Sequence, residues 1–164
     1  MRSNSRPFLI MCLVTQFVAA IASGKPAAAE TVRSLLSQTV YTPAYSRVFL
    51  TQNRSELVAA TLTVHNVDPE RTIQIDRVDY HDQDGKIIKS FIDTEITLPP
   101  FASKDFLVPM NDTTGGTGAN FLMVWSSERP ALEPIVEALI IGGSGTAGLA
   151  FTTTGKIIGS RAAE

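Results

Sequence analysis

The hydrophobic pattern that follows the first 30 residues is that of short β-strands. Runs of four to eight residues rich in Val, Ile, Thr and aromatic side chains alternate with Gly, Pro, Asn and Asp, which is typical of strands joined by turns. In the clearest run, 57–66, every second residue is apolar: Val58, Ala60, Leu62 and Val64. This two-residue period predicts a sheet with one buried face.

The next apolar run, 72–80, changes the parity of its alternation near Asp76. One extra residue in a β-bulge would restore the alternation, so we expect a bulge there. A polar segment containing Asp84 and Gly85 then leads to the apolar run 87–92. Because Asp-Gly between two such runs is a strong hairpin signal, these two strands are predicted to pair.

The remaining candidate strands are short and regularly spaced. They are 39–41, 47–49, 105–108, 121–125, 135–141, 149–153 and 156–158. Short strands in this number, separated by turn signals, predict an all-β domain, and we expect an immunoglobulin-like antiparallel β-sandwich, with a small β-barrel as the alternative. The segment 133–141 also fits a helix that begins at Pro134, although its β-branched residues and the glycines after it favour a strand.

The N-terminus has the pattern of a cleavable secretory signal peptide. Arg2 and Arg6 precede an apolar run over 8–22, and small residues follow. Cleavage after Ala22 or after Ala29 is possible, and the second is preferred because it leaves a polar stretch behind the apolar run. We therefore expect a signal peptide over 1–29, a lead-in over 30–38 that is a short helix or untethered, and a single β-sandwich domain over 39–164.

Charge and cysteine content narrow the range of partners. Cleavage at the second site removes three basic residues and no acidic ones, which leaves a net charge of −5 with no basic cluster. This argues against nucleic acid as a partner. Cys12 lies inside the predicted signal, so the mature chain has no cysteine, and no segment after the signal predicts a stable membrane span.

The stretch IIGGSGTAGLAF, 140–151, carries the spacing of a dinucleotide-binding fingerprint at Gly143, Gly145 and Gly148. Such a fingerprint needs a helix that begins at the glycines and an acidic residue about 20 positions later. Here the β-branched run 149–154 follows instead, and only 16 residues remain after Gly148. The stretch is predicted to connect two strands.

Other motifs of catalysis and metal binding are incomplete. Ser144 lacks the last glycine of a nucleophile elbow, and the acidic segment 82–85 lacks the first and last ligands of a calcium loop. His65 and His81 are too few for a confident zinc site. We therefore assign no catalytic residue, cofactor or metal ligand, and lean against an enzyme.

A second glycine-rich segment, 112–120, leads into a strand and is no P-loop. Its glycines would let the backbone approach a partner closely, and loops at the end of a sandwich often carry binding residues. The candidate contact residues are those of this segment with nearby aromatic and acidic side chains: Tyr45, Asp82, Thr113, Gly116, Asn120 and Trp125. The alternative is that both rings belong to the core.

Five stretches together resemble a bacterial exported family known as domain of unknown function 3124. They are 39–46, 78–85, 98–103, 113–121 and 133–137. The resemblance implies a bacterial protein outside the cytoplasm, periplasmic or secreted, and implies no activity or cofactor.

We expect a noncatalytic binding or structural module of the cell envelope whose partner is an envelope protein or a glycan. One alternative is a hydrolase whose carboxylates come from separate loops, such as Asp82 or Asp84 with Asp112. The other is a carrier that holds a small ligand inside a barrel. Oligomeric state is not predicted by the sequence.

Overall fold

The computed structural model describes residues 33–143 and 148–162, and this part of the chain is all β. It contains no helix, and so none that could cross a membrane. The signal peptide predicted over 1–29 lies outside the described residues. The strands are β1 (Ser34–Pro43), β2 (Arg47–Thr51), β3 (Arg54–His65), β4 (Ile73–His81), β5 (Ile87–Ser90), β6 (Ile96–Leu98), β7 (Ser103–Val108), β8 (Asn120–Leu132), β9 (Ile135–Gly142), β10 (Leu149–Thr154) and β11 (Lys156–Arg161).

The strands form two antiparallel sheets. In the first sheet the order is β11-β1-β8-β4-β5, and β6 pairs with the β4 edge that also carries β5. In the second sheet the order is β10-β9-β3-β2, and β7 pairs with β3 beyond the end of β2. The predicted all-β architecture of antiparallel sheets is thus confirmed.

One hydrophobic core lies between the sheets. In β3 the predicted alternation is confirmed, because the four apolar residues from Val58 to Val64 are fully buried. The first sheet contributes the largest side chains, among them Trp125, Tyr80 and Phe121. Burial of such side chains is worth about 1.5–3 kcal/mol each, so this face holds the sheets together.

The bulge and the hairpin predicted around β4 are both present. The pairing of β4 with β8 shifts by one residue between Ile75 and Arg77, which leaves Asp76 as the extra residue. The chain reverses at Gly85, which has a φ of 81°, and the Asp82 amide donates to the Lys86 carbonyl oxygen at 2.9 Å. Glycine adopts this backbone conformation at little cost.

The segment that could have been helix or strand is strand β9. Its exposed and buried residues alternate from Ile135 to Gly142, and it pairs along its whole length with β3. Its next neighbour is β10, with Gly142 opposite Leu149. The fingerprint glycines therefore lie between two paired antiparallel strands, as predicted, and Gly145 falls outside the described residues.

The expected lead-in over 30–38 is wrong from Ser34 onward, because β1 begins there and pairs with both β8 and β11. Hydrophobic alternation could not reveal this part of the strand, since its inward positions include Gln38. That side chain is 2% exposed and accepts a hydrogen bond from Trp125 Nε1 at 2.9 Å. Strand β6, only three residues long, was not predicted either.

The end of the sandwich after β3 is organised by Asn66 and Asp68. The Asn66 amide group donates to carbonyl oxygens of residues 71, 98 and 99 at 2.8–3.0 Å. The Asp68 carboxylate accepts hydrogen bonds from the backbone N–H groups of Glu70, Arg71 and Leu132 at 2.8–2.9 Å. Burial alone would raise the pKa of Asp68, but these donors and the Arg71 charge together lower it.

Candidate ligand cleft

Three chain segments meet at the other end of the sandwich. They are the link 44–46 after β1, the hairpin tip 82–86 after β4 and the glycine loop 109–119 before β8. They lie together because β1 and β4 both run antiparallel to β8, so that both end where β8 begins. We call this the glycine-loop end.

Backbone hydrogen bonds join the glycine loop to its two neighbours. The Ala44 and Ser46 amides donate to the carbonyl oxygens of Ala119 and Gly116 at 2.8 and 2.9 Å. The Gln83 amide donates to the Gly115 carbonyl oxygen at 3.1 Å. The loop is therefore anchored on both sides, although it contains no strand.

Beneath the glycine loop lies a buried pair of hydroxyl groups. Tyr80 and Ser46 are both fully buried, and their oxygens are 2.9 Å apart. Burial raises the pKa of Tyr80, the nearby Asp112 charge raises it further, and the hydrogen bond with Ser46 partly opposes this. The phenol is thus held neutral as a structural support for the loop.

Close packing accounts for the glycines of this loop. A Cβ at Gly115 would overlap the Tyr80 hydroxyl and lie 2.6 Å from the Ala119 Cβ. Gly116 has a φ of 72°, and a Cβ there would lie 2.7 Å from Gln83 Oε1. The glycines let the loop lie directly on Tyr80 and on the hairpin tip.

Two carboxylates at this end stabilise their own loops. Asp82 Oδ1 accepts hydrogen bonds from the amides of Asp84 and Lys86 at 2.9 and 2.8 Å. Asp112 Oδ1 accepts from the Thr114 amide at 3.0 Å and from its hydroxyl at 2.5 Å. Such contacts are the usual role of Asp in turns.

An open cleft of about 360 Å³ lies between the hairpin tip, the glycine loop and β2. Its volume is in the range of small-molecule sites, roughly 300–1,000 Å³. It is lined by Arg47, Phe49, Asp82, Gln83, Asp84, Thr113, Thr114, Gly116 and Thr117. We call it the loop-end cleft.

Arg47 and Phe49 are the lining residues that β2 contributes. The Arg47 Nε is buried and has no hydrogen-bond acceptor among the described residues. The Phe49 ring is 63% exposed, although its neighbour Val48 packs against the core. The cleft is thus lined by a cationic side chain and by an exposed aromatic residue.

The structure brings three of the six predicted contact residues into this cleft: Asp82, Thr113 and Gly116. Asn120 begins β8 behind the glycine loop, opposite Pro43 and His81. Tyr45 is half-buried and packs edge-to-face on Phe151, with ring centroids 5.7 Å apart.

Trp125 is fully buried in the core and so is not placed to contact a partner. Its position shares the parity of Phe121 and Met123, so alternation along β8 already placed it on the buried face. Arg47 and Phe49 were not among the predicted contacts. One available signal was the adjacent pair Phe49 and Leu50. Because consecutive strand residues point to opposite faces of a sheet, one of these two large apolar side chains must face away from the core.

A serine, a histidine and a glutamate lie side by side on the outer face of the second sheet. His65 Nδ1 is 2.8 Å from Ser103 Oγ, and His65 Nε2 is 3.8 Å from Glu137 Oε1. Strand β3 pairs with β7 on one side and β9 on the other at this point, so its backbone N–H groups are engaged in the sheet. The β3 backbone therefore has no free N–H group at this point to serve as the preorganised oxyanion donor of a serine hydrolase.

Neither His65 nor His81 belongs to a group of three or more His, Cys, Asp or Glu residues that could hold a metal ion, within 33–143 and 148–162. The loop-end cleft itself is lined by hydroxyl, amide, carboxylate, guanidinium and phenyl groups.

The fold and the cleft together define a small all-β protein with two antiparallel sheets and a polar cleft built by loops at one end. The chain belongs to the family described as "Protein of unknown function (DUF3124)", whose model matches residues 37–158. This confirms the family resemblance. A search of curated proteins finds no match.

One solved structure is similar to the chain, the crystal structure of Thermotoga maritima 1070. It is 15% identical, with a TM-score of 0.45, and the match covers 73% of this chain and 92% of that chain.

Proposed function

We propose that this protein is a noncatalytic binding module of the bacterial cell envelope and that it contacts its partner through the loop-end cleft. The observation that carries the proposal is a cleft assembled from three separate chain segments, which gathers the charged side chains of Arg47, Asp82 and Asp84 beside the exposed Phe49. A guanidinium group can only donate hydrogen bonds, so a ligand oxygen in the cleft would give Arg47 an acceptor.

The anchoring of the glycine loop supports a binding role. Its hydrogen bonds to Ser46 and Gln83, and its packing on Tyr80, fix the wall of the cleft before any ligand arrives. Binding to a preformed site avoids the entropy cost of ordering a loop. The cleft is therefore suited to recognition.

The noncatalytic part of the proposal rests on the carboxylates. Asp82 and Asp112 each accept hydrogen bonds from their own loop through Oδ1. The hydrolase alternative keeps one supporting observation, because the loops that carry Asp82, Asp84 and Asp112 do meet at one end. Turnover of a substrate that is lost in Asp84→Asn would favour that alternative.

The carrier alternative has less support. The interior between the sheets holds the fully buried side chains of Trp125, Tyr80 and Phe121. Rings of this size occupy the space that a carried ligand would need.

We propose that the protein is exported to the envelope, because residues 1–29 have the pattern of a signal peptide.

We also propose an immunoglobulin-like topology, because the strand pairing resembles that of an immunoglobulin sandwich. The pairs β3–β7 and β4–β8 match the neighbouring B–E and C–F strands of an immunoglobulin sandwich. Strand β9 lies next to β3, at the place of the first immunoglobulin strand, and β1 lies next to β8, at the place of the last one. An experimental structure with β3 and β7 in different sheets would contradict this assignment.

The test is affinity capture from envelope extract with three forms of the full chain. Thr113→Trp fills the cleft, and Thr94→Trp places the same ring on an exposed position between β5 and β6. We expect the unmodified chain and Thr94→Trp to retain the same protein or glycan, and Thr113→Trp to lose it. Retention of nothing, or equal retention by all three forms, would overturn the proposal.

A further inference from the structure

We propose that the ligand of the loop-end cleft is a neutral sugar unit, such as a hexose or an N-acetylhexosamine of an envelope polysaccharide. This inference rests on the proposed binding function and adds the chemical class of the ligand. It is argued from the groups that line the cleft.

The first requirement is a hydrogen-bond acceptor. The Arg47 side chain lines the cleft, and a guanidinium group can only donate hydrogen bonds. A ligand that contacts this group must present an oxygen toward β2. A hydroxyl, a ring oxygen or an acetamido carbonyl would each meet this requirement.

The second requirement is a set of hydrogen-bond donors. Asp84 makes no side-chain hydrogen bond or ion pair with another described residue, and Asp82 uses only Oδ1 for its own loop. Ionised carboxylates only accept hydrogen bonds, so a ligand that contacts them would donate to them in place of water. A ligand that contacts both Arg47 and the carboxylates therefore carries acceptor and donor groups.

Charge excludes the simplest ionic ligands. A phosphate or carboxylate that paired with Arg47 would also face the negative charges of Asp82 and Asp84. An ammonium group that paired with the carboxylates would share the cleft with the Arg47 charge. A hydroxyl group donates and accepts at once, so a ligand with several hydroxyls satisfies both sets of groups without a net charge.

The third requirement is an apolar surface. The Phe49 ring is 63% exposed at the edge of the cleft, and its burial against a partner would remove apolar area from water. One face of a pyranose ring carries mainly C–H groups and can lie flat on a phenyl ring. Thr113 and Thr117 of the glycine loop would then offer their hydroxyls to the sugar edge, and Thr114, whose hydroxyl donates to Asp112, could only accept.

The experiment is calorimetric titration of the full chain with named probes. The neutral probes are cellobiose, maltose and the disaccharide of N-acetylglucosamine, and the charged probes are glucuronate, inorganic phosphate and glucosamine. We expect at least one neutral disaccharide to bind with measurable heat and the charged probes to bind more weakly or not at all.

The variants are Phe49→Ala, Arg47→Met and Asp84→Asn, with Phe101→Ala as the matched control. Phe101 is 71% exposed and lies at the opposite end of the sandwich, between β6 and β7. We expect each cleft variant to weaken sugar binding about ten-fold or more, from the loss of a ring contact or of a hydrogen bond to a charged group. Phe101→Ala should bind as the unmodified chain does, and equal urea midpoints would show that each variant is folded.

The outcomes separate this inference from the function it rests on. If no neutral sugar binds, or if phosphate or glucuronate binds better, the sugar assignment is wrong. In that case, capture of a protein from envelope extract that is lost in Thr113→Trp would still support the proposed binding module. If both the titration and the capture are negative, the proposed function fails as well.

Discussion

Replacing Gly115 by Ala tests whether packing on Tyr80 holds the glycine loop in place. The added Cβ would lie 2.7 Å from Tyr80 Cζ and 2.6 Å from the Ala119 Cβ, and would overlap the Tyr80 hydroxyl. Because Tyr80 and Ala119 are themselves buried, the loop or the ring must shift. Overpacking of this kind costs about 1–3 kcal/mol, so we expect the free energy of unfolding to fall by that amount.

Gly148→Ala is the matched control for this substitution. No atom of the described residues lies within 4 Å of a Cβ at Gly148, and its φ is outside the left-handed region, so we expect Ala to be accepted there. We expect no loss, and a gain of up to about 1 kcal/mol, because Ala lowers the conformational entropy of the unfolded chain.

Urea unfolding, monitored by Trp125 fluorescence, measures both variants, and equal slopes would show that the midpoints report stability alone. A further variant, Tyr80→Phe, removes the hydroxyl that a Cβ at Gly115 would overlap. We expect Gly115→Ala to cost less in that background than in the unmodified chain, because the two sites are in contact. Unchanged stability of Gly115→Ala, or an equal loss in Gly148→Ala, would refute the packing explanation.

Two further predictions concern pH. Since the folded-state pKa of Asp68 is lowered, its carboxylate stabilises the protein above its ordinary pKa of 3.8, and this contribution is lost as the pH falls through the folded value. Asp68→Ala should lose about 2–4 kcal/mol of unfolding free energy at pH 7, and its urea midpoint should fall less with acid than that of the unmodified chain. The same fall with acid in both forms would contradict the three backbone contacts. Since burial raises the pKa of Tyr80 above 10.0, the contribution of its neutral phenol to stability is full below that pH and is lost as the pH rises toward the folded value. Urea midpoints measured from pH 8 to 11 should therefore fall less in Tyr80→Phe than in the unmodified chain. Parallel curves would argue against burial as the cause.

Most of the fold was predictable because most strands bury one face only. The alternation in β3 and the parity change at Asp76 translated directly into strand β3 and the bulge of β4. The first half of β1 was not predictable in this way. Its inward position 38 holds a glutamine, and the residue that donates a hydrogen bond to its Oε1, Trp125, lies 87 residues away.

The cleft was predictable only in part. Acidic residues and glycines mark turns locally, which is why Asp82, Gly116 and, as part of the same glycine-rich segment, Thr113 could be chosen from the sequence. The contribution of Arg47 depends on how β2 lies beside two loops that are distant in the chain. No local pattern carries that information.

Site-specific photo-crosslinking in bacterial cells tests the central claim most directly. A benzophenone amino acid is placed at Thr113 and Thr117 in the cleft, and at Thr94 and Leu107 on exposed surface elsewhere. We predict a discrete crosslinked species from both cleft positions and none from the other two. Crosslinks from Leu107 or Thr94, with none from the cleft, would contradict the assignment of the loop-end cleft as the binding site.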